Sequence, residues 1–153
     1  MNLAEMEKHV TLLEDIQAIE DVQQMYGYYM DTHQREQVVS LFSDDTESFE
    51  LESVGLYLGK KGVRQFFLEN DLLKGDETTV PNWINILIMM FQDVITVAPD
   101  GKTAKGRWNT WLAEAMPVEG IPRQQWCQGY YENEYVKENG RWLFKKLHWN
   151  VTV

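Results

Sequence analysis

The chain has 153 residues, of which 44% are hydrophobic and 12% aromatic, and this predicts a single domain over residues 1–153 that buries a core and a pocket. Its net charge of −10 repels the phosphates of nucleic acids and argues against nucleic acid as a partner. It has no apolar run of the roughly 20 residues that cross a membrane and no basic-then-apolar leader, so we expect a cytoplasmic protein with no membrane partner.

The first half of the chain is predicted to be mainly helical. Apolar residues recur three and four positions apart, which predicts one long helix from about Leu3 to Met30. A second helix is predicted within residues 31–42 and a third over residues 60–73. Between them, residues 46–53 alternate between polar and apolar side chains, the pattern of a β-strand.

The second half changes to β-type patterns. Runs rich in β-branched and aromatic residues predict strands over residues 86–97, 102–115, 125–138 and 141–153. Hairpin turns are predicted at APDG and ENG, because Gly101 and Gly140 supply the positive φ that such turns favour. Helices followed by an antiparallel sheet predict an α+β domain.

The sequence contains no familiar motif for a metal or a cofactor. Cys127 is the lone cysteine, and no spacing of cysteine and histidine resembles a metal site. A glycine-rich phosphate loop and the GxSxG and HExxH motifs are also missing. We therefore expect neither a metal nor a cofactor.

Three separated segments carry a resemblance to a known family. They are YGYYMD at the end of the first helix, YLGKKGVRQFF, and GYYENEYVKENGRWLFKKL near the end of the chain. In this order and spacing they resemble the SnoaL-like branch of the nuclear transport factor 2-like (cystatin-like) superfamily. Scytalone dehydratase, the lindane dehydrochlorinase and the bile acid 7α-dehydratases belong to that branch.

The resemblance implies a fold and an assembly. The family fold is a curved antiparallel sheet wrapped around N-terminal helices, which together form a cone-shaped pocket, and its members are usually dimers or trimers. We therefore expect a homo-oligomer. The superfamily also includes isomerases, cyclases, hydrolases and proteins without catalytic activity, so the site has to decide the function.

The resemblance also implies a catalytic pair that this sequence does not reproduce in full. In the dehydratase-like members, an aspartate just past the first long helix orients a histidine that removes a proton from the substrate. Asp31 matches the aspartate, whereas the histidine position falls on Ile88. No histidine lies between residues 34 and 147.

His148 is the predicted replacement for the missing histidine. On the last strand it shares its parity with Trp142 and Phe144, which would point it into the pocket. A β-bulge that turns His148 out and Leu147 and Trp149 in is the alternative. His33 is a poor partner for Asp31, because residues two apart on a helix do not face each other.

Asp31 also has a purely structural interpretation. Asp31 or Thr32 would N-cap the second helix, with Gln34 completing a capping box. The two interpretations are compatible, because a capping aspartate at the floor of a pocket would still be able to orient a base.

Aromatic and amide side chains are predicted to line the pocket. Strand parity places Trp108, Tyr131 and Asn133 on one face, while most aromatic residues at such spacing are simply core. A pocket of this kind suits a small hydrophobic molecule with a flat ring. The predicted substrate-binding residues are Tyr29, Trp83, Ile88, Trp108, Tyr131, Asn133 and Asn150.

Two functions follow from these residues. The first is a cofactor-independent lyase or isomerase, dehydratase-like, that abstracts a proton from a cyclic hydrophobic substrate. Asp31 would orient His148 or act as the base itself, and Tyr131 and Tyr29 would stabilise the oxyanion. The second is a non-catalytic small-molecule binding protein that keeps the pocket but lacks the family histidine.

The last predicted strand suggests where copies of the chain meet. If Trp142 and Phe144 point inward, the opposite face carries the apolar residues Leu143, Leu147, Trp149 and Val151. Soluble monomers rarely expose an apolar patch of that extent. We therefore expect the homo-oligomer to form on the outer face of the sheet.

Overall fold

The structure is a computed structural model that describes residues 2–70, 85–118 and 121–152. The helices are α1 Leu3–Asp31, α2 Arg35–Ser40 and α3 Gly59–Arg64, and α3 continues into a π-helical turn, Gln65–Glu69. The strands are β1 Ser48–Leu51, β2 Gly55–Leu58, β3 Asn85–Val97, β4 Thr103–Val118, β5 Ile121–Glu138 and β6 Arg141–Val151. Trp83 and the end of the predicted third helix, residues 71–73, lie outside the described residues.

The long first helix is confirmed almost to the residue. A capping box starts it: Asn2 Oδ1 accepts a hydrogen bond from the Glu5 backbone nitrogen at 3.0 Å, and the Asn2 backbone nitrogen donates to Glu5 Oε2 at 2.9 Å. Its buried residues, Asp15, Ile19, Gln23, Tyr26 and Gly27, recur three and four apart and face the sheet. No helix among the described residues is long and apolar enough to cross a membrane.

The described strands form one curved, open sheet in the order β2-β1-β6-β5-β4-β3. The four long strands pair antiparallel, and α1 packs on the inner face against β3 and β6. The α+β prediction is therefore confirmed. The predicted strand over residues 46–53 is in fact β1, which hairpins with β2 and lies parallel to β6, an exception to the antiparallel pattern.

Both predicted hairpin turns are present. The Ala98 backbone nitrogen donates to Thr103 O at 2.8 Å across the first turn, where Gly101 has φ 66°. In the second turn Asn139 and Gly140 have φ 50° and 77°, the left-handed pair of a type I′ turn.

A β-bulge in β6 decides which side chains face the core. Glu134 pairs with Lys146, whereas Tyr135 pairs with Phe144, so Lys145 is the extra residue on β6. The inward parity therefore changes at this point. Beyond the bulge Leu147 and Trp149 are buried, as the alternative prediction had it.

Candidate functional site

Asp31 is the last residue of α1, and the turn that follows leads the chain away from it. His33 has φ 58°, its backbone nitrogen donates to Met30 O at 3.2 Å, and the Gln34 nitrogen donates to Tyr29 O at 2.8 Å. This is the Schellman arrangement, with a histidine in the position usually held by glycine. The helix therefore ends at Asp31.

Gly27, one turn before Asp31, lets the helix approach β3 closely. A Cβ on Gly27 would lie 2.7 Å from Met90 Cε and 3.7 Å from Ile88 O. Because residues four apart share a helix face, the same approach brings Asp31 to β3. Asp31 Oδ1 accepts a hydrogen bond from the Ile88 backbone nitrogen at 3.1 Å.

The N-cap interpretation of Asp31 is wrong. Gln34, not Asp31 or Thr32, is the N-cap of α2, and it makes no side-chain capping bond. Thr32 Oγ1 instead donates back to Tyr28 O at 2.6 Å. The Asp31 carboxylate is thus directed to the sheet rather than to the next helix.

The surroundings of Asp31 favour its neutral form more than water does. Burial raises the pKa of this carboxyl above its ordinary value, and the Ile88 N–H and the charge of nearby His33 offset that only in part. A carboxylate whose pKa is raised by burial is a stronger base than an exposed one.

Asp31 lines a cleft of about 330 Å³ beside β3, β4 and β5, and side chains from both faces of the sheet contribute to its lining. Ile86, Glu114 and Gln125 are register partners across β3, β4 and β5, and all three line it. Gln125 Nε2 donates to Glu114 Oε1 at 2.6 Å. Neither Glu114 nor Gln125 is among the predicted site residues, although the strand parity that selects Trp108 also selects Glu114.

Tyr131 lies near Asp31 in the core. Its ring packs edge-to-face on that of Tyr26, with the ring centroids 5.9 Å apart, and the two hydroxyls interact closely enough to shift each other's pKa. Burial raises the pKa of both phenols, and the Asp31 charge contributes to the rise at Tyr131. Both hydroxyls therefore remain protonated donors at neutral pH.

Trp108 and Asn133 are core residues that bond to other protein groups. They are 3% and 2% exposed. Asn133 Nδ2 donates to Gln23 Oε1 at 2.9 Å, the Tyr135 hydroxyl donates to the same oxygen at 2.7 Å, and Trp108 Nε1 donates to that hydroxyl at 3.1 Å. The structure thus places both residues in a closed network and not in the cleft wall.

The structure does not bring His148 to Asp31. The bulge at Lys145 reverses the expected parity and puts His148 on the outer face, where its Nε2 lies 3.7 Å from Glu50 Oε2. Asn150 follows it on that face, paired with Tyr130. The predicted inward orientation of His148 and Asn150 is therefore corrected.

The other predicted residues have separate positions. Ile88 faces inward, opposite Leu112, and its backbone nitrogen holds Asp31. Tyr29 is half-buried, with its ring 5.8 Å from that of Tyr28. No group of three or more His, Cys, Asp or Glu side chains within the described ranges is placed to hold a metal ion.

Comparisons with known proteins agree with this fold. A family model described as a SnoaL-like domain matches residues 11–148. A proposed scytalone dehydratase from Novosphingobium aromaticivorans superposes with a TM-score of 0.77 at 19% identity, covering 95% of this chain and 89% of that one. A hexachlorocyclohexane dehydrochlorinase from Novosphingobium barchaimii superposes at 0.75 and 19% identity, covering 95% and 91%. The comparison with curated proteins finds no match.

Proposed function

Because this chain belongs to the SnoaL-like domain family, we propose that it is a cofactor-independent lyase or isomerase of the dehydratase kind, with Asp31 itself as the base. The observation that carries the proposal is the Asp31 carboxylate, which lines the cleft and has a pKa raised by burial. A proposed scytalone dehydratase and a hexachlorocyclohexane dehydrochlorinase among its structural relatives support an elimination reaction.

The hydrogen bond from Ile88 gives the two carboxylate oxygens of Asp31 different roles. Oδ1 is held by the backbone nitrogen, which leaves Oδ2 to accept a proton from a ring carbon next to a carbonyl group. The electrons of the broken C–H bond form the enolate and then the new C=C bond as hydroxide leaves. Asp31 returns its proton to that hydroxide, so the products are the unsaturated ring compound and water.

Tyr131 is the candidate oxyanion donor. Its raised pKa keeps the phenol protonated, and the Asp31 charge is one cause of that rise, although the ring is 2% exposed and is not among the described residues that line the cleft. A neutral donor next to the base would stabilise the oxygen on which negative charge develops. Tyr29, which lies near the end of α1 as Asp31 does, keeps its proposed role of stabilising the oxyanion.

The substrate is proposed to be a small hydrophobic ring compound. A volume of about 330 Å³ is at the lower end of the range for small-molecule sites, and Ile86, Ala113 and Ala115 give the cleft apolar walls. The test is a panel of one-ring and two-ring β-hydroxy ketones, with loss of water followed by mass spectrometry. Turnover that disappears in Asp31→Asn would support the proposal.

A non-catalytic binding protein is the second candidate function. The observation in its favour is Ile88 at the position that corresponds to the family histidine. Binding of the same panel without turnover by the wild-type protein would favour this alternative.

A homo-oligomer on the outer face of the sheet remains part of the proposal, but on other strands than the sequence suggests. Leu147 and Trp149 are buried in the core and leave the predicted patch incomplete. On β4 and β5, however, Trp111 and Trp126 are 50% and 67% exposed, and their rings pack together at 6.0 Å. Leu87 and Phe91 on β3 extend this apolar surface.

A further inference from the structure

Glu114 is the second carboxylate of the cleft. It is half-buried on the inner face of β4, directly between Ile86 on β3 and Gln125 on β5. Its charge is one cause of the raised pKa of the Cys127 thiol, which lies two residues from Gln125 on the same strand. Glu114 is one of the residues that line the cleft.

Gln125 bonds to this carboxylate without neutralising it. Gln125 Nε2 donates to Oε1 at 2.6 Å, and an amide carries no charge. In the parts of the chain that the structure describes, no other polar group bonds to Glu114. Oε2 therefore keeps its capacity to accept a hydrogen bond.

Among the described residues, the charges that line the cleft have one sign. Asp31 and Glu114 both line it, and none of the described lining residues is basic. Two carboxylates with apolar walls give a negative potential, which disfavours anionic ligands and favours neutral ones. A neutral ligand that offers a hydrogen-bond donor gains a charge-assisted bond there.

We propose that Glu114 determines substrate specificity in this cleft: its Oε2 accepts a hydrogen bond from a hydroxyl group on a neutral ring compound, and its charge excludes carboxylates. The inference rests on the proposed function, because it concerns the same cleft as Asp31. It names a substrate class, hydroxylated and uncharged ring compounds, and assigns Glu114 no proton transfer.

Three ligands with one ring skeleton test the proposal: 2-naphthol, 2-methoxynaphthalene and 2-naphthoate. Affinities are measured by titration calorimetry with the wild-type protein, Glu114→Gln and Glu114→Leu. Glu132→Gln is the matched control, since it removes one carboxylate from the outer face of the sheet, where Glu132 pairs with Arg107 at 3.4 Å. Melting curves verify that each variant is folded.

We expect the wild-type protein to bind 2-naphthol about tenfold more tightly than its methyl ether, the scale of one charge-assisted hydrogen bond. Glu114→Leu should abolish that preference. Glu114→Gln should strengthen binding of 2-naphthoate by about tenfold through the loss of like-charge repulsion. Glu132→Gln should bind all three ligands as the wild-type protein does.

Two results would overturn the role of Glu114 alone: a preference for 2-naphthol that survives in Glu114→Leu, or naphthoate affinity that does not change in Glu114→Gln. If Asp31→Asn meanwhile loses turnover, the proposed function stands without this inference. A wild-type protein that binds none of the three ligands would overturn both the inference and the proposed substrate class.

Discussion

The Asp31 carboxylate accepts a hydrogen bond from the backbone nitrogen of Ile88, 3.1 Å away, and so joins the end of α1 to β3. The donor is a main-chain group, which means that the bond does not depend on the side chain at position 88. Asp31 thus keeps a fixed orientation at the position where the family resemblance places a histidine. Its partner in this chain is the strand itself.

Asp31→Asn separates a structural role from a catalytic one. The asparagine amide oxygen can still accept the bond from Ile88, so we expect the melting temperature to remain nearly unchanged. If Asp31 is the catalytic base, the asparagine cannot accept the proton, and kcat/KM should fall by about 10²-fold or more. Asp44→Asn, an exposed aspartate that pairs with Lys60, is the control and should retain full activity. Full activity in Asp31→Asn would leave this residue as a helix–sheet connection only.

The raised pKa of Asp31 predicts how activity depends on pH. The base works only when deprotonated, so kcat/KM should rise with pH along an acidic limb. Because burial raises the pKa of Asp31, the midpoint of that limb should lie above the ordinary 3.8. A pH–rate profile that is flat from pH 4 to 7 would contradict the assignment.

The same pKa shift predicts a stability difference of defined sign. A carboxyl whose pKa is higher in the folded state stabilises the fold most at a pH below its unfolded pKa, and this is lost as pH rises through the folded value. Urea titrations should therefore show wild-type stability falling relative to Asp31→Asn as the pH increases across that range. A difference that grows in the opposite direction would mean that the carboxylate, not the acid, is favoured by the fold.

His148→Gln should leave the reaction unchanged, because the bulge places His148 on the outer face beside Glu50. This partly exposed pair contributes little to stability, so the free energy of unfolding should change by less than about 1 kcal/mol. The measurement is kcat/KM with the same substrate as for Asp31→Asn. A loss of similar size in both variants, non-additive in the double mutant, would restore the pairing of these two residues.

Gln23→Leu should destabilise the protein. Gln23 Oε1 accepts bonds from Asn133 and Tyr135 in the core, and leucine would leave both donors without it. Leaving buried donors unsatisfied costs about 2 kcal/mol, which urea unfolding would detect. Gln24→Leu is the neighbouring control on the exposed side of α1. Equal stability of the two variants would show that the network contributes nothing.

The helices and hairpins were predictable because each depends on local sequence. Helical spacing and the glycine turns at Gly101 and Gly140 act over a few residues, and the structure reproduces them. Glu114 also has a local signal, since it shares the parity of Trp108. The hydrogen-bond network of Gln23, Asn133 and Tyr135 was not predictable, because it joins residues more than a hundred positions apart in the sequence.

Two features of the site had no local signal. The bulge at Lys145 appears only when β6 is aligned with β5, so sequence parity alone put His148 on the wrong face. Asp31 bonds to a backbone nitrogen 57 residues away, and a main-chain donor leaves no trace in the side-chain pattern. Capping chemistry nearby was therefore the more visible interpretation of Asp31, and it was wrong.

Lys145 shifts by one residue the set of β6 side chains that face inward. Before it, Trp142 and Phe144 face inward; after it, Leu147 and Trp149 do. β1 lies parallel to the second segment, with Phe49 beside Leu147. Without the extra residue, Lys146 and His148 would face inward there, and Phe49 would lose its apolar neighbour. One unpaired residue thus allows β6 to place apolar side chains on the inner face beside both of its neighbours, β5 on one edge and β1 on the other.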